Sequence, residues 1–133
     1  MAHPVLPAKE MMAYASEVRE RYAREVFDVA VIGALIKERA SQGIDWLQVR
    51  QAKPMRLQAT RAAMRLIGWL ARGQYRIDWQ EVVPAGGDHE TAQYAELRIY
   101  WSDRLQAVSV PAERWLANGG HVVEDAGAET LPG

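Results

Sequence analysis

The sequence contains no cysteine, a single phenylalanine, three histidines and no long apolar run. Without cysteine there is no disulfide framework, zinc ribbon or thiol nucleophile. The longest apolar stretch, "VAVIGALI" at 29–36, is far shorter than the roughly twenty residues a membrane-spanning helix needs. The start, "MAHPVLPAKEMM", has neither the basic n-region nor the apolar h-region of a signal peptide, which predicts a cytoplasmic protein without membrane contact. His3, His89 and His121 are too scattered to form a ligand set by spacing. The neighbours Asp88, His89 and Glu90 point their side chains apart, so they are a poor metal site. Gly86–Gly87 lies in no phosphate-binding pattern. These absences predict a non-enzymatic protein that needs neither metal nor cofactor.

The most informative absence is of negative charge. From Trp46 to Ile77 there is no Asp or Glu, yet the window carries Arg50, Lys53, Arg56, Arg61, Arg65, Arg72 and Arg76. The formal net charge of the chain is only −1, from 16 Lys and Arg against 17 Asp and Glu. A strongly basic segment therefore sits inside an otherwise acidic protein. Such asymmetry points to a polyanionic partner, either nucleic acid or an acidic protein surface.

With 133 residues the chain has the size of one domain, and it can bury a core without covalent staples. Residues 1–122 are predicted to form a single domain and 123–133 a mobile acidic tail. From Lys9 onward, Met11, Ala15, Val18, Tyr22, Val26, Val29, Gly33 and Ile36 recur at helical spacing. One unbroken helix over 9–41 would be about 50 Å long, against a radius of gyration of about 14 Å for a domain of this size. The spacing therefore predicts a break near Arg24–Phe27, or else a first half, 9–25, that projects and serves as an interaction or dimerisation element. "VFDVAVIGALIKERA" is apolar on most sides and is the expected central core helix, ending at "SQG" with Gly43 at C′.

Asp45 is placed to cap a short helix through Val49 or Arg50. A longer helix is expected over about 54–72, started by Pro54 and ended by Gly73. "YRIDWQEVV" and "AELRIYW" alternate apolar and polar residues on either side of "PAGGDHET", as in an antiparallel hairpin. "LQAVSV" reads as a third strand and "PAERWLANGG" as a short helix. The fold class is α+β, with a helical N-terminal half, a small antiparallel sheet (hairpin plus third strand) and a short C-terminal helix. The five tryptophans are expected in the core. Tyr94 and Tyr100 are expected to be exposed, on the strand face opposite Leu97 and Ile99.

On a helical wheel, Gln58, Arg61, Arg65 and Arg72 share a narrow arc, opposite Ala59, Ala63, Leu66, Ile67 and Leu70. The order of elements resembles a winged helix-turn-helix domain over residues 26–101. "VFDVAVIGALIKERA" stands as first helix, "DWLQVRQ" as second, "PMRLQATRAAMRLIGWLARGQ" as recognition helix and the hairpin as wing. The resemblance implies a double-stranded DNA-binding regulator, with Arg56, Gln58, Thr60 and Arg61 nearest the bases and Arg65 and Arg72 toward phosphates. Arg50, Lys53 and Arg76 extend the expected contact. The hairpin region 78–103, with six acids and Arg98 its one base, favours a second reading. In that reading the chain is an inhibitor, adaptor or assembly component of a phage or mobile element, docked on an acidic protein or a nucleoprotein complex.

Overall fold

In the computed structural model, which describes residues 3–83, 94–102 and 109–118, the N-terminal helical stretch breaks once. Helix α1 (Ala8–Val26) ends where Phe27 turns into the core, 3% exposed. Helix α2 (Val29–Ser41) starts afresh because the Asp28 carboxylate accepts from the Val31 amide at 3.1 Å, satisfying one of the free first-turn donors. The break thus falls at the edge of the expected segment. Helix α2 ends in a left-handed residue, Gly43 (φ 78°), and the Gly43 and Ile44 amides donate back to Ala40 and Arg39 carbonyls.

The segment expected as a second helix is a strand. β1 (Trp46–Val49) buries Leu47 and Val49 alternately, a period of two, and pairs antiparallel with β3 (Tyr94–Tyr100). Helix α3 (Arg61–Arg72) is shorter than expected and begins at Thr60, not Pro54. The Thr60 hydroxyl accepts from the Ala63 amide at 3.2 Å and donates to the Leu57 carbonyl at 2.7 Å, closing a turn that ends the preceding irregular segment. Strand β2 (Arg76–Val82) forms the expected hairpin pairing with β3, and β4 (Val110–Pro111) adds to the other edge of β2. The sheet order is β1-β3-β2-β4, antiparallel throughout. Helix α4 (Ala112–Ala117) follows directly. The expected hairpin turn, most of the expected third strand and the acidic tail lie outside the described residues.

The register lines up Leu47, Ile99, Ile77 and Val110 as one apolar row across all four strands. Onto this face α3 sets Ala62, Ala63, Leu66, Ile67 and Leu70, each at most 2% exposed. Burying a Leu or Ile side chain contributes about 1.5–3 kcal/mol, which makes this contact the main source of stability. The central helix is therefore α3 and not α2. Helix α2 buries Ile32 and Ile36 but leaves Val31 55% and Leu35 38% exposed beside the β1 edge. Trp115 of α4 is 1% exposed and closes the core against Trp79.

Candidate functional site

Helix α3 presents the arginine arc as the wheel implies. Arg61, Arg65 and Arg72 are exposed, and no acidic residue lies on the helix. Among the described residues Arg65 and Arg72 have no ion pair. The arc is a ridge. Gly68, beside it, meets Leu116 of α4, and Trp69 on the other side packs against Gly33 of α2.

The N-terminal end of α3 is closed from within. Glu20 of α1 accepts from the Arg61 and Ala62 amides, both at 3.0 Å, while Thr60 takes the Ala63 amide. The Glu20 carboxyl is 15% exposed and also lies 3.9 Å from the Arg61 guanidinium. Burial pushes its pKa up, but the two amide bonds and the charges of Arg61 and Arg24 outweigh burial and hold it below the usual carboxylate value. Arg24 thereby joins the basic end of α3. Nothing in the acid-free window pointed to it or to Glu20, because both lie some forty residues away in sequence.

The expected site residues have different surroundings. Thr60 is buried and is a capping residue, so it does not face outward as a base-reading residue would. Arg76 is half-buried and bonds Ser109 through the hydroxyl at 2.8 Å and the carbonyl at 2.7 Å, joining β2 to the start of β4. Lys53 lies over the Tyr22 ring at 5.2 Å. Three cations meet the chain's own acids: Arg50 with Glu96 at 3.5 Å, Arg56 with Glu81 at 3.5 Å, and Arg61 with Glu20. Gln58 accepts weakly from Arg56 at 3.5 Å. Part of the compensation for the basic window is therefore internal. Because these guanidiniums stay largely exposed, the pairs contribute little stability and leave positive potential at the surface.

The outer face of the sheet carries a polar network that sequence reasoning did not anticipate. Glu96, 4% exposed, accepts from the Gln48 side chain at 2.7 Å and the Gln51 amide at 2.8 Å. Arg98 donates to Gln48 at 3.0 Å, and Trp46 has the guanidiniums of Arg39 and Arg98 within 5.4 and 5.1 Å of its ring. Burial raises the pKa of Asp78 in the same face, offset in part by Gln80, the Trp79 amide and Arg98. Tyr94 and Tyr100 are not exposed as expected, at 9% and 2%, and burial raises both phenols. The Tyr100 hydroxyl has no hydrogen-bond partner among the described residues.

No group of three or more His, Asp or Glu able to hold a metal occurs among the described residues. No described helix is long and apolar enough to cross a membrane. Comparison of the chain with protein-family models, with curated proteins and with solved structures gives no match.

Proposed function

We propose that the protein is a small non-enzymatic module that binds double-stranded DNA through the outer ridge of α3, holding the phosphate backbone with Arg61, Arg65 and Arg72. Arg24 contributes from α1. The observation that carries this reading is the pair Arg65 and Arg72, exposed and without ion partners among the described residues, on a helix whose opposite face is fully buried. The mode of contact follows from the capped helix start. A helix that reads base edges offers its first turn to the groove. Here Glu20 and Thr60 occupy the amides of that turn, and Glu20 would repel a phosphate placed there. Positioning contacts to phosphates carry no sequence information, so binding is expected to tolerate sequence.

Titration of a generic duplex at about 50 and 200 mM salt tests the proposal. Three to four phosphate contacts give an affinity loss of about forty- to a hundred-and-fiftyfold between those conditions, from a slope of about −0.9 per contact. Arg65→Glu with Arg72→Glu should remove binding and leave the fold intact, since both side chains face solvent. Absence of binding at the lower salt, or a folded double variant that binds normally, overturns it. The second reading, an acidic protein surface docked on the same ridge, is favoured by the carboxylates that already meet Arg50, Arg56 and Arg61. Retention of one acidic partner after nuclease treatment, lost in the same double variant, distinguishes it.

A further inference from the structure

Strand β1 lies at one edge of the sheet and pairs with β3 alone. The Trp101 amide donates to the Asp45 carbonyl at 3.1 Å, and this bond sets which residues of β1 face β3. With Trp46 opposite Tyr100, the backbones of Leu47 and Val49 bond to β3, while the amides and carbonyls of Trp46 and Gln48 point to the free edge. Among the described residues nothing meets those edge groups. An uncovered edge of this kind is a template for one more strand.

The edge opens on a groove of about 630 Å³ whose other wall is α2. Val31 and Leu35 stand on that wall beside Ile32, and both are left exposed there. One wall of free backbone facing one wall of apolar side chains fits an extended peptide. Main-chain bonds to the edge hold such a peptide, and its alternate side chains enter the apolar wall. Charge narrows the occupant further. Glu25, Glu38 and Arg50 at the groove are exposed, whereas Arg39 is half-buried and its Nε is enclosed without a hydrogen-bond partner among the described residues. The Arg39 guanidinium lies 5.4 Å from the centre of the Trp46 ring, at the start of β1, and no described carboxylate pairs with it. A carboxylate on the peptide satisfies that cation. A second copy of β1 does not, because residues 46–50 hold no acid, end in Arg50 and come with their own Arg39 and Arg98.

We infer that the groove between α2 and β1 takes an extended segment of a partner protein, added as a further strand on β1, with apolar residues at alternate positions and a carboxylate meeting Arg39. Selection from a phage-displayed library of random heptapeptides tests this, without nucleic acid, so its outcome is separate from that of the duplex titration. Selected sequences should share alternating apolar residues and an acidic residue toward one end. A synthetic peptide of the selected consensus should slow hydrogen exchange at the Trp46 and Gln48 amides, and much less at Leu47 and Val49, which β3 already holds. This measurement uses the wild type and needs no variant to fold. Arg39→Gln should weaken peptide binding by about tenfold, the loss of one charge-assisted bond, with circular dichroism establishing that the helix content is kept. Failure to select any peptide, a selected peptide that leaves exchange at Trp46 and Gln48 unchanged, or binding by folded Arg39→Gln equal to wild type overturns the inference.

Discussion

Glu20 and Arg61 are linked through the backbone rather than chiefly through their charges: one Glu20 oxygen accepts the Arg61 amide at 3.0 Å, while the guanidinium lies at 3.9 Å. The second oxygen takes the Ala62 amide, so a side chain from α1 does for α3 what a capping residue does from its own chain. Glu20→Gln keeps one acceptor oxygen but loses the charge, and should destabilise the protein by about 1 kcal/mol, within the range of a charge at a helix N-terminus. The sign of the pH dependence follows from the direction of the shift. Glu20 has a pKa below the ordinary value of 4.5 in the folded state. Its contribution is therefore complete above that value and is lost as pH falls through the lower, folded pKa. Urea melts at pH 7 and near pH 3 should show the gap between wild type and Glu20→Gln narrowing in acid. An unchanged gap would mean that the amides, not the charge, account for the whole contribution.

The Tyr22 hydroxyl receives two amides that have no partner in secondary structure. Tyr22→Phe leaves the ring, and hence the packing and the Lys53 contact, but orphans both donors at a partly buried position. The expected loss is about 1–3 kcal/mol, since an unsatisfied amide is more costly than a missing neutral bond is valuable. Thermal unfolding measures it. A loss below about half a kcal/mol would show that water reaches Ala52 and Lys53.

Much of this fold was legible because its signals are local. A break was legible from helix length, although it falls at Phe27–Asp28, the edge of the expected Arg24–Phe27 segment. The hairpin strands follow from alternation, and the arginine ridge from a wheel that needs no partner. The helix expected over 45–50 failed for a non-local reason. "DWLQV" satisfies a capped turn as well as a strand, and what decides is pairing with residues 97–100, half a chain away. The expected start of α3 failed because Leu57 and Ala59 fit the helical period by spacing alone. In the fold Leu57 is fully buried from a turn and Ala59 is exposed. The site was half legible for the same reason. Exposure of Arg65 and Arg72 follows from periodicity, whereas the acids meeting Arg50, Arg56 and Arg61 come from three other elements.

Thr60 separates the capping role from the base-contact role that its position in the sequence implied. Thr60→Ala removes the acceptor for the Ala63 amide and should lower stability by about 1 kcal/mol, in the range found for N-cap substitutions. Duplex affinity measured well below the melting temperature should be unchanged, because the hydroxyl is buried and turned to the backbone. A fall in affinity at unchanged stability would reverse the assignment.

The C-terminal end of α3 stores removable strain. Gln74 holds a left-handed backbone, φ 63°, at the position where Gly is favoured, with its amide on the Ala71 carbonyl and the Tyr75 amide on Leu70. The glycine sits one residue earlier, and there it serves a close approach: a Cβ on Gly73 would come within 2.8 Å of the Tyr75 ring. That ring cannot swing away freely, because it stacks on Trp69 and meets Trp101 edge-on. Gln74→Gly should therefore be stabilising by up to about 1 kcal/mol, the relief of a left-handed non-glycine residue offset by greater freedom in the unfolded chain. Gly73→Ala should be destabilising by about 1–3 kcal/mol, as for an overpacked site, and should perturb tryptophan fluorescence through the displaced ring. Chemical denaturation of the two single variants decides it, and equal effects of the same sign would show that the turn, not the ring contact, governs both positions.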